Sequence, residues 1–440
     1  MATPVIAIFD IGKTNKKALL FDQSYRVVYE TSARLEETTD EDGDPCEDVD
    51  ALTKFIYASL DELFDDSRWE VRAVNFSAYG ASFVCVDAAG IPVCPLYNYL
   101  KPYPPELSRQ FYDRYGGEQE FSAATASPVL GSLNSGMQLF RIRQRHPEVF
   151  KRIRYALHLP QYLSFLLSRK PVSDITSIGC HTNLWDFRQG TYHEWVSREG
   201  IMEKLAPPVW PSERFQAHYK GRTLIVGAGL HDSSAALIPY LKSFSQPFIL
   251  LSTGTWNISL NPFNNAPLTA EELAQDCLCY LTYEGKAVKA SRFFAGPEYE
   301  RQVGLIARAH GLSVDAFAEV KFDPAALERT RHEISAGTQK FDAYHKMMME
   351  FVGRQRTSTM LVRRGSPIKK MFVDGGFSRN EVFMNLLAAA FPELDVCAAS
   401  MAQGSALGAA IALHQHWNPG PLPSGIVSLK QFGGQTATAL

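Results

Sequence analysis

The sequence predicts an α/β protein of two units, each a mixed sheet flanked by helices, and three observations carry that prediction. A chain of 440 residues exceeds one ordinary hydrophobic core and fits two. Strand-like and helix-like segments alternate along most of its length. One motif also occurs twice, once in each half: an apolar run ends in a polar, glycine-containing turn and resumes as a second apolar run. The first copy is Ile6 to Asp22, with Asp10, Gly12, Lys13, Thr14 and Asn15 at its tip, and the second is Phe248 to Leu260, with Gly254 and Thr255 at its tip.

In order along the chain, the first motif reads as a β-hairpin and Arg26 to Leu35 as a third strand. An acidic loop (Glu36 to Glu47), a helix from Asp48 to Phe64 and a buried strand from Val71 to Ser77 follow. Phe83 to Val86 and Pro92 to Leu96 form a hairpin pattern across Asp87 to Gly90. The chain then turns helical and aromatic from Leu107 to Leu167, an insertion over about 105–170. A strand from Leu224 to Gly227 leads through Gly229, Leu230 and His231 to Asp232, which opens a small-residue helix. The second half restarts near Gln246 with the second hairpin. Strands are expected at Cys277 to Tyr283 and Ala287 to Ala290, and helices at Glu298 to His310 and Thr338 to Arg363. A strand from Ile368 to Asp374 ends at Gly375 and Gly376. A helix from Ser378 to Ala390, a strand from Asp395 to Ala398 and a helix from Gly404 to His414 complete the half, and the Pro/Gly-rich stretch after Trp417 reads as a surface segment. The expected division is 1–243 and 244–440.

Bulk properties narrow the function. The formal charge of −3, without a long basic block, argues against binding nucleic acid or an acidic membrane through a charged face. The apolar runs are too short to span a bilayer, and Asp10 interrupts any secretory-signal pattern at the amino terminus. The seven cysteines are scattered and no C-x-x-C occurs, so a reduced, cytoplasmic protein is expected. Cys277 and Cys279 share one face of a strand, which fits a core strand better than a metal pair.

Several motifs carry chemistry. Gly12-Lys13-Thr14 imitates the end of a Walker A loop, but Ala7 stands where that loop needs glycine, and a strand, not a helix, follows. The two hairpin tips suit an anion instead: turn amides converge on it, and Thr14, Asn15 and Thr255 add side-chain donors. Asp10, ending a buried strand, is either a turn cap or a metal ligand. Asp232, at the start of a helix, is either an N-cap or a general base kept ionised by the helix terminus. Val373 to Asn380 joins a strand to a helix through Gly375 and Gly376, a turn able to lie flat against an adenine or ribose, with Asn380 as a donor in the first helical turn.

These motifs, in this order, resemble the FGGY family of carbohydrate kinases, within the superfamily that also holds actin and heat-shock chaperone ATPases. The likeness covers nearly the whole chain. It implies two actin-like (ribonuclease H-like) domains hinged about a cleft that closes on a sugar and on ATP with Mg²⁺. Carried over residue by residue, it makes Asp232 the base and sets Asp10 and Asp232 toward the metal. It gives the nucleotide to Gly12, Lys13, Thr14, Asn15, Gly254, Thr255, Gly375, Gly376 and Asn380. It places the sugar near Tyr79, Gly80, Ala81, Asn98, His231 and Asp232. The resemblance further implies a small ketose of the L-rhamnulose, L-fuculose or xylulose type as substrate, and allows a homodimer. Three positions depart from the family pattern: Lys13 replaces a small hydroxyl residue, Gln403 an acid, and Tyr97-Asn98 the usual aromatic-charged pair. A non-kinase actin-like ATPase, such as a chaperone-type switch or an activase, is the alternative, and a sugar-binding regulator without turnover ranks behind it.

Overall fold

The computed structural model describes residues 2–326, 341–401 and 403–433. The expected helical residues Thr338 to Lys340 lie outside that set. In the first half, β1 (Thr3–Ile11) and β2 (Lys16–Asp22) form the predicted hairpin, extended by β3 (Val27–Ala33). Val5 to Phe9 and Ala18 to Phe21 are wholly buried. Both faces of these strands are covered, so they read as unbroken apolar runs and not as alternations. Asp48 caps α1 (Val49–Asp65) by accepting the Ala51 N–H at 2.9 Å, and Leu52, Ile56, Leu60 and Leu63 form its buried stripe. β4 (Trp69–Ala78) runs parallel to β1, and α2 (Leu159–Ser168) packs against that sheet. β5 (Arg214–Tyr219), β6 (Arg222–Gly227) and the two-residue β7 (Leu230–His231) complete it, in the order β5-β6-β4-β1-β2-β3 with β7 on β4. α3 (Asp232–Ser243) follows directly.

The second half repeats the plan. β8 (Phe248–Thr253) and β9 (Trp256–Asn261) are the second hairpin, followed by β10 (Cys277–Leu281) and β11 (Ala287–Phe294). After α4 (Asp342–Arg363) come β12 (Lys370–Gly375), α5 (Glu381–Ala390), β13 (Asp395–Ser400), α6 (Gly404–Ala412) and β14 (Ser428–Phe432). The sheet order is β10-β11-β9-β8-β12-β13-β14. The triplet β2-β1-β4 therefore matches β9-β8-β12: a hairpin whose first strand takes a parallel neighbour. Register sets Asp10 opposite Ser77 in one half and Ser252 opposite Asp374 in the other, one carboxylate and one serine in each.

Two small-residue helices join the halves. Ala235 and Ile238 of α3, with Ala406 to Ile411 of α6, bury against Ile6, Ile8 and Leu19 of the first sheet. Leu237 and Tyr240, on the other side of α3, bury against Phe248, Leu250 and Phe372 of the second. A Cβ on Gly408 would overlap the Ala235 carbonyl, so the close crossing of α3 and α6 requires glycine there. The Asn75 amide donates to the Ala409 carbonyl at 2.8 Å and fixes the end of α6 to β4.

Several segments depart from the sequence expectation, among them the unexpected strand β5 and the helix expected from Ser378, which starts at Glu381. The acidic loop contains a small hairpin, Glu37–Thr39 against Pro45–Glu47. Its bend gathers Asp40, Asp42 and Asp44 around the Lys101 ammonium at 2.6, 2.9 and 2.6 Å, so a cation from the chain itself already fills that acidic cluster. Phe83–Val86 pairs along its length with Tyr155–His158, and the expected hairpin is cut down to its turn, closed by the Asp87 N–H on Ile91 O, with a bridge from Val86 to Pro92 and the Val93 N–H on Cys85. Pro92 and Pro95 remove the donors a longer ladder would use. The helical insertion is broken into shorter helices at Gly116, Gly117 and Pro147. The segment after Trp417 supplies the edge strand β14, which the Pro and Gly residues before it conceal in the sequence. No helix among the described residues is long and apolar enough to cross a membrane. All seven cysteines are free, and Cys277 and Cys279 are buried in β10.

Candidate active site

Asp10 stands at the end of β1, where the hairpin leaves the core. Its Oδ2 accepts the Ser405 hydroxyl of α6 at 2.9 Å and not a turn amide. Burial lifts its carboxyl to about 6; the Ser405 bond opposes that rise and the nearby charge of Asp232 adds to it. Asp232 is the first residue of α3, and His231 occupies the N-cap position. Its Oδ1 accepts the Ser233 N–H at 2.6 Å and the Ser233 hydroxyl at 3.2 Å. The surrounding protein lifts this carboxyl also to about 6, while 36% of the side chain stays exposed. An accessible acid of raised pKa at a helix start, within electrostatic reach of a second one, is an arrangement suited to proton transfer.

The chain leading to Asp232 is irregular, and side chains satisfy its backbone. Ser164 donates to Gly227 O at 2.6 Å and Gln161 to Gly229 O at 2.9 Å, while the Gly229 N–H donates to Asn75 Oδ1 at 3.1 Å. The His231 N–H donates to Thr176 Oγ1 at 3.0 Å. Gly229 has φ +81°, and a Cβ there would overlap the Pro160 carbonyl.

Around Asp232 the structure gathers two of the residues expected near a sugar, Gly80 and His231. The Gly80 backbone abuts Cys180 Sγ and the His231 ring, which a Cβ would meet at 2.7 and 3.1 Å. His231 Nε2 lies 3.0 Å from Cys180 Sγ and 3.2 Å from Asp232 Oδ1, and burial drops the imidazole to about 3, so it is uncharged. The Tyr79 hydroxyl donates to Glu47 at 3.1 Å. The carbonyl of Ala81, at φ +68°, accepts the Gln138 amide at 2.7 Å. Asn98 closes a local turn by accepting the Leu100 N–H at 2.9 Å. The ring that meets Tyr79 is Tyr99, at 5.7 Å edge to face and within reach of the Asp232 charge. No local signal separates Tyr99 from Tyr97 in the sequence; Tyr97 instead lies under Arg141 and donates to Glu41. Glu47 and Lys16 were missed too, although a lysine inside an apolar strand is a readable signal of a buried ion pair (2.5 Å).

At the first hairpin tip the Gly12 N–H bonds Asn15 O, Thr14 and Asn15 are exposed, and Asn15 Oδ1 accepts from Arg34. The Lys13 ammonium pairs with Glu37 and lies 3.6 Å from Glu47. Lys17 bonds Gln403, whose amide nitrogen donates to Glu30, so the glutamine at the expected acidic position bridges a lysine and a carboxylate. At the second tip, a Cβ on Gly254 would meet nothing nearer than 4.0 Å, and Thr255 O accepts the Ala295 and Gly296 amides. The turn after β12 lines a cleft of about 620 Å³ with Gly375, Gly376, Ser378, Arg379 and Met401. Asn380 is the N-cap of α5 and lies before its first turn: Oδ1 accepts the Phe383 N–H at 2.9 Å, and the amide nitrogen donates to Tyr344 at 2.8 Å. Asp374, bonded by the Tyr240 hydroxyl at 3.2 Å, is lifted by burial to about 6.

These acids have a consequence for stability. Asp10, Asp232 and Asp374 bind protons more tightly folded than unfolded, where carboxyls titrate near ~4. Their contribution is full below about pH 4 and is lost as pH rises through about 6. The buried imidazoles of His158, His181 and His231, each lowered to about 3, act in the opposite direction over the same range, so the expected result is a difference: relative to Asp374→Asn, the unfolding midpoint of the ligand-free protein falls from about pH 5 to about pH 8. Equal slopes in the two proteins would contradict this assignment.

Family comparison matches the geometry. Residues 5–238 match the N-terminal domain of the FGGY family of carbohydrate kinases, and residues 245–320 and 307–414 match descriptions of its C-terminal domain. The chain belongs to the FGGY family of carbohydrate kinases. Among curated relatives, the rhamnulokinase of Halalkalibacterium halodurans is 21% identical over 264 residues, 57% of this chain and 54% of that one. The L-fuculokinase of Salmonella typhi is 22% identical over 278 residues, 59% of this chain and 56% of that one. The chain thus spans about half the length of the curated relatives it matches. A carbohydrate kinase from Novosphingobium aromaticivorans superposes with a TM-score of 0.82 at 24% identity, over 99% of this chain and 96% of the other. A xylulose kinase from Rhodospirillum rubrum does so with a TM-score of 0.82 at 16% identity, over 99% and 95%. These superpositions establish the shared FGGY fold.

Proposed function

We propose that the protein transfers the γ-phosphate of ATP to a hydroxyl of a small neutral sugar, a ketose of the L-rhamnulose, L-fuculose or xylulose type, with Asp232 as general base. The observation that carries this reading is Asp232 itself: a partly exposed carboxylate of raised pKa, fixed at a helix start beside a second carboxylate. A neutral acceptor fits because the nearby lysines are already matched: Lys13 by Glu37, Lys16 by Glu47 and Lys17 by Glu30. The curated relatives carry the names rhamnulokinase and L-fuculokinase, which supports the ketose assignment.

In the mechanism, the sugar lies against Tyr79, Gly80, Ala81 and Tyr99, and its reacting hydroxyl points at Asp232. Asp232 accepts the hydroxyl proton as that oxygen attacks the γ-phosphorus in line, and ADP leaves with the bond electrons. The Gly12 N–H closes the hairpin on Asn15, which leaves the amides of Lys13 to Asn15, with those of Gly254 and Thr255, to face the phosphates. The turn at Gly375 and Gly376 lies along the adenosine, and Asn380 holds that turn through its cap on α5. The uncharged His231 ring buttresses Asp232 without competing for the proton. Asp10 and Asp232 offer only oxygen ligands, and burial disfavours their charge until a cation arrives, so the donor set fits Mg²⁺. When bound, that ion would neutralise charge on the transferred phosphoryl group. Asp10→Asn is expected to raise the Mg²⁺ concentration for half-maximal rate by about tenfold or more, which corresponds to ~1.4 kcal/mol or more. An unchanged Mg²⁺ requirement would remove Asp10 from the metal site.

The test is ADP release with Mg-ATP across a panel of ketoses, aldoses and polyols. Strong stimulation by one neutral sugar is expected. Slow hydrolysis indifferent to every sugar would favour the actin-like ATPase reading.

A further inference from the structure

The turn into Asp232 is gripped by a segment that also touches the other half of the molecule. Ser173–Asp174 pairs in parallel with Pro208–Val209, and Asp174 caps the single helical turn Ile175–Ile178. The Asp174 side chain is wholly buried. Its Oδ1 accepts the N–H groups of Thr176 at 3.0 Å and Ser177 at 3.3 Å, and also the Thr176 hydroxyl. A threonine hydroxyl has a single hydrogen. With that hydrogen committed to Asp174, Oγ1 turns a lone pair to the His231 N–H at 3.0 Å. Asp174 thus fixes a rotor, the rotor fixes the His231 backbone, and His231 leads directly into Asp232.

The same segment then meets the second sheet. A Cβ on Gly179 would overlap the Leu281 side chain, although its backbone (φ −82°, ψ 12°) suits alanine. Cys180 Sγ reaches His231 Nε2 at 3.0 Å. Leu281 ends β10, and its carbonyl accepts the Ser234 hydroxyl of α3 at 2.9 Å. Leu281 therefore touches both sides of the turn that presents Asp232.

We infer that Asp174 to Cys180 is the element that sets the direction of Asp232 and ties it to the seating of the second half, with Asp174 and Thr176 as positioning residues and Gly179 as the contact. The inference rests on Asp232 being the base proposed above. When Leu281 is seated, the turn is held from both sides. When the second half shifts away, Gly179 loses its neighbour and Ser234 its acceptor, and the turn loosens.

Thr176→Val keeps the shape but removes both the hydroxyl hydrogen and the lone pair, whereas Thr176→Ser keeps both. Amide hydrogen exchange of the peptide Gly229 to Ser234 in the ligand-free protein is expected to rise roughly 3- to 10-fold in Thr176→Val alone, the worth of one net hydrogen bond. With the sugar that the panel identifies, kcat is expected to fall by about 10²-fold in Thr176→Val, with KM for ATP unchanged, and to recover in Thr176→Ser. Gly179→Ala is expected to lower kcat, and adding Leu281→Ala to restore it. Exchange needs no substrate, so an unchanged rate at Gly229 to Ser234 overturns the inference whether or not any sugar turns over. A rise spread over the whole chain, or equal loss in the Val and Ser variants, marks a merely structural role and overturns it as well. Localised loosening in a protein that phosphorylates no sugar would support the positioning and count against the base.

Discussion

Asp232→Asn is expected to lower sugar phosphorylation by roughly 10²- to 10⁴-fold, the range a positioned general base supplies. ATP affinity should stay within a few-fold of the unsubstituted protein, because the contacts proposed for the nucleotide come from the hairpin tips and the turn at Gly375 and Gly376. The asparagine keeps the shape, and its Oδ1 can still accept the Ser233 N–H and hydroxyl, which both donate to Oδ1 of Asp232. Folding is therefore not the quantity under test. The pH profile separates proton transfer from simple electrostatics. With Asp232 at about 6, kcat/KM should fall as pH drops through that value, since the protonated acid cannot accept the hydroxyl proton. Asp10 titrates in the same range, so the limb belongs to the pair and not to either residue alone. An Asp232→Asn protein with near-normal turnover, or a flat profile from about pH 5 to about pH 8, would dismiss Asp232 as the base.

Gly375→Ala is expected to have the largest effect on the nucleotide side. Gly375 has φ +80° and ψ −156°, a region that costs other residues ~1–3 kcal/mol. A methyl group there would also overlap the Thr253 carbonyl, and overpacking of that kind costs another ~1–3 kcal/mol. The neighbours cannot yield cheaply. Thr253 donates its hydroxyl to the Asp374 carbonyl and accepts the Phe377 N–H at 3.0 Å, so β8 and the turn after β12 are bonded together at that level. The variant should unfold at a lower temperature and lose most ATP affinity. Calorimetry and nucleotide titration check both effects. Normal stability with normal ATP binding would mean that the turn rearranges freely and does not shape the nucleotide cleft.

Much of this was legible in the sequence because the signals are local. Buried runs such as Ile6 to Phe9 and Phe248 to Leu251 can only be covered strands, and a glycine turn between two of them specifies a hairpin. The start of α3 at Asp232 and the turn at Gly375 follow from the same local rules. What escaped depends on distance in space. Phe83–Val86 prefers Tyr155–His158, a partner some 70 residues away that no turn signal announces. Glu47 becomes a hub only when the fold brings Lys16 and Tyr79 to it. Tyr99 and Tyr97 are the same residue type two positions apart, and only tertiary contacts send one toward Tyr79 and the other beneath Arg141. An asparagine after a glycine turn suits a donor to adenine, which is what the sequence suggests for Asn380. The same side chain also suits an N-cap, and the helix uses it as one.

The central claim is transfer of a phosphoryl group to a sugar and not to water. The most direct measurement is phosphorus NMR of a reaction containing the protein, Mg-ATP and the most stimulating sugar of the panel, beside the same reaction with Asp232→Asn. The account predicts one new phosphate-monoester resonance growing in step with ADP, absent with the variant. Inorganic phosphate appearing in step with ADP, with no monoester, would contradict it.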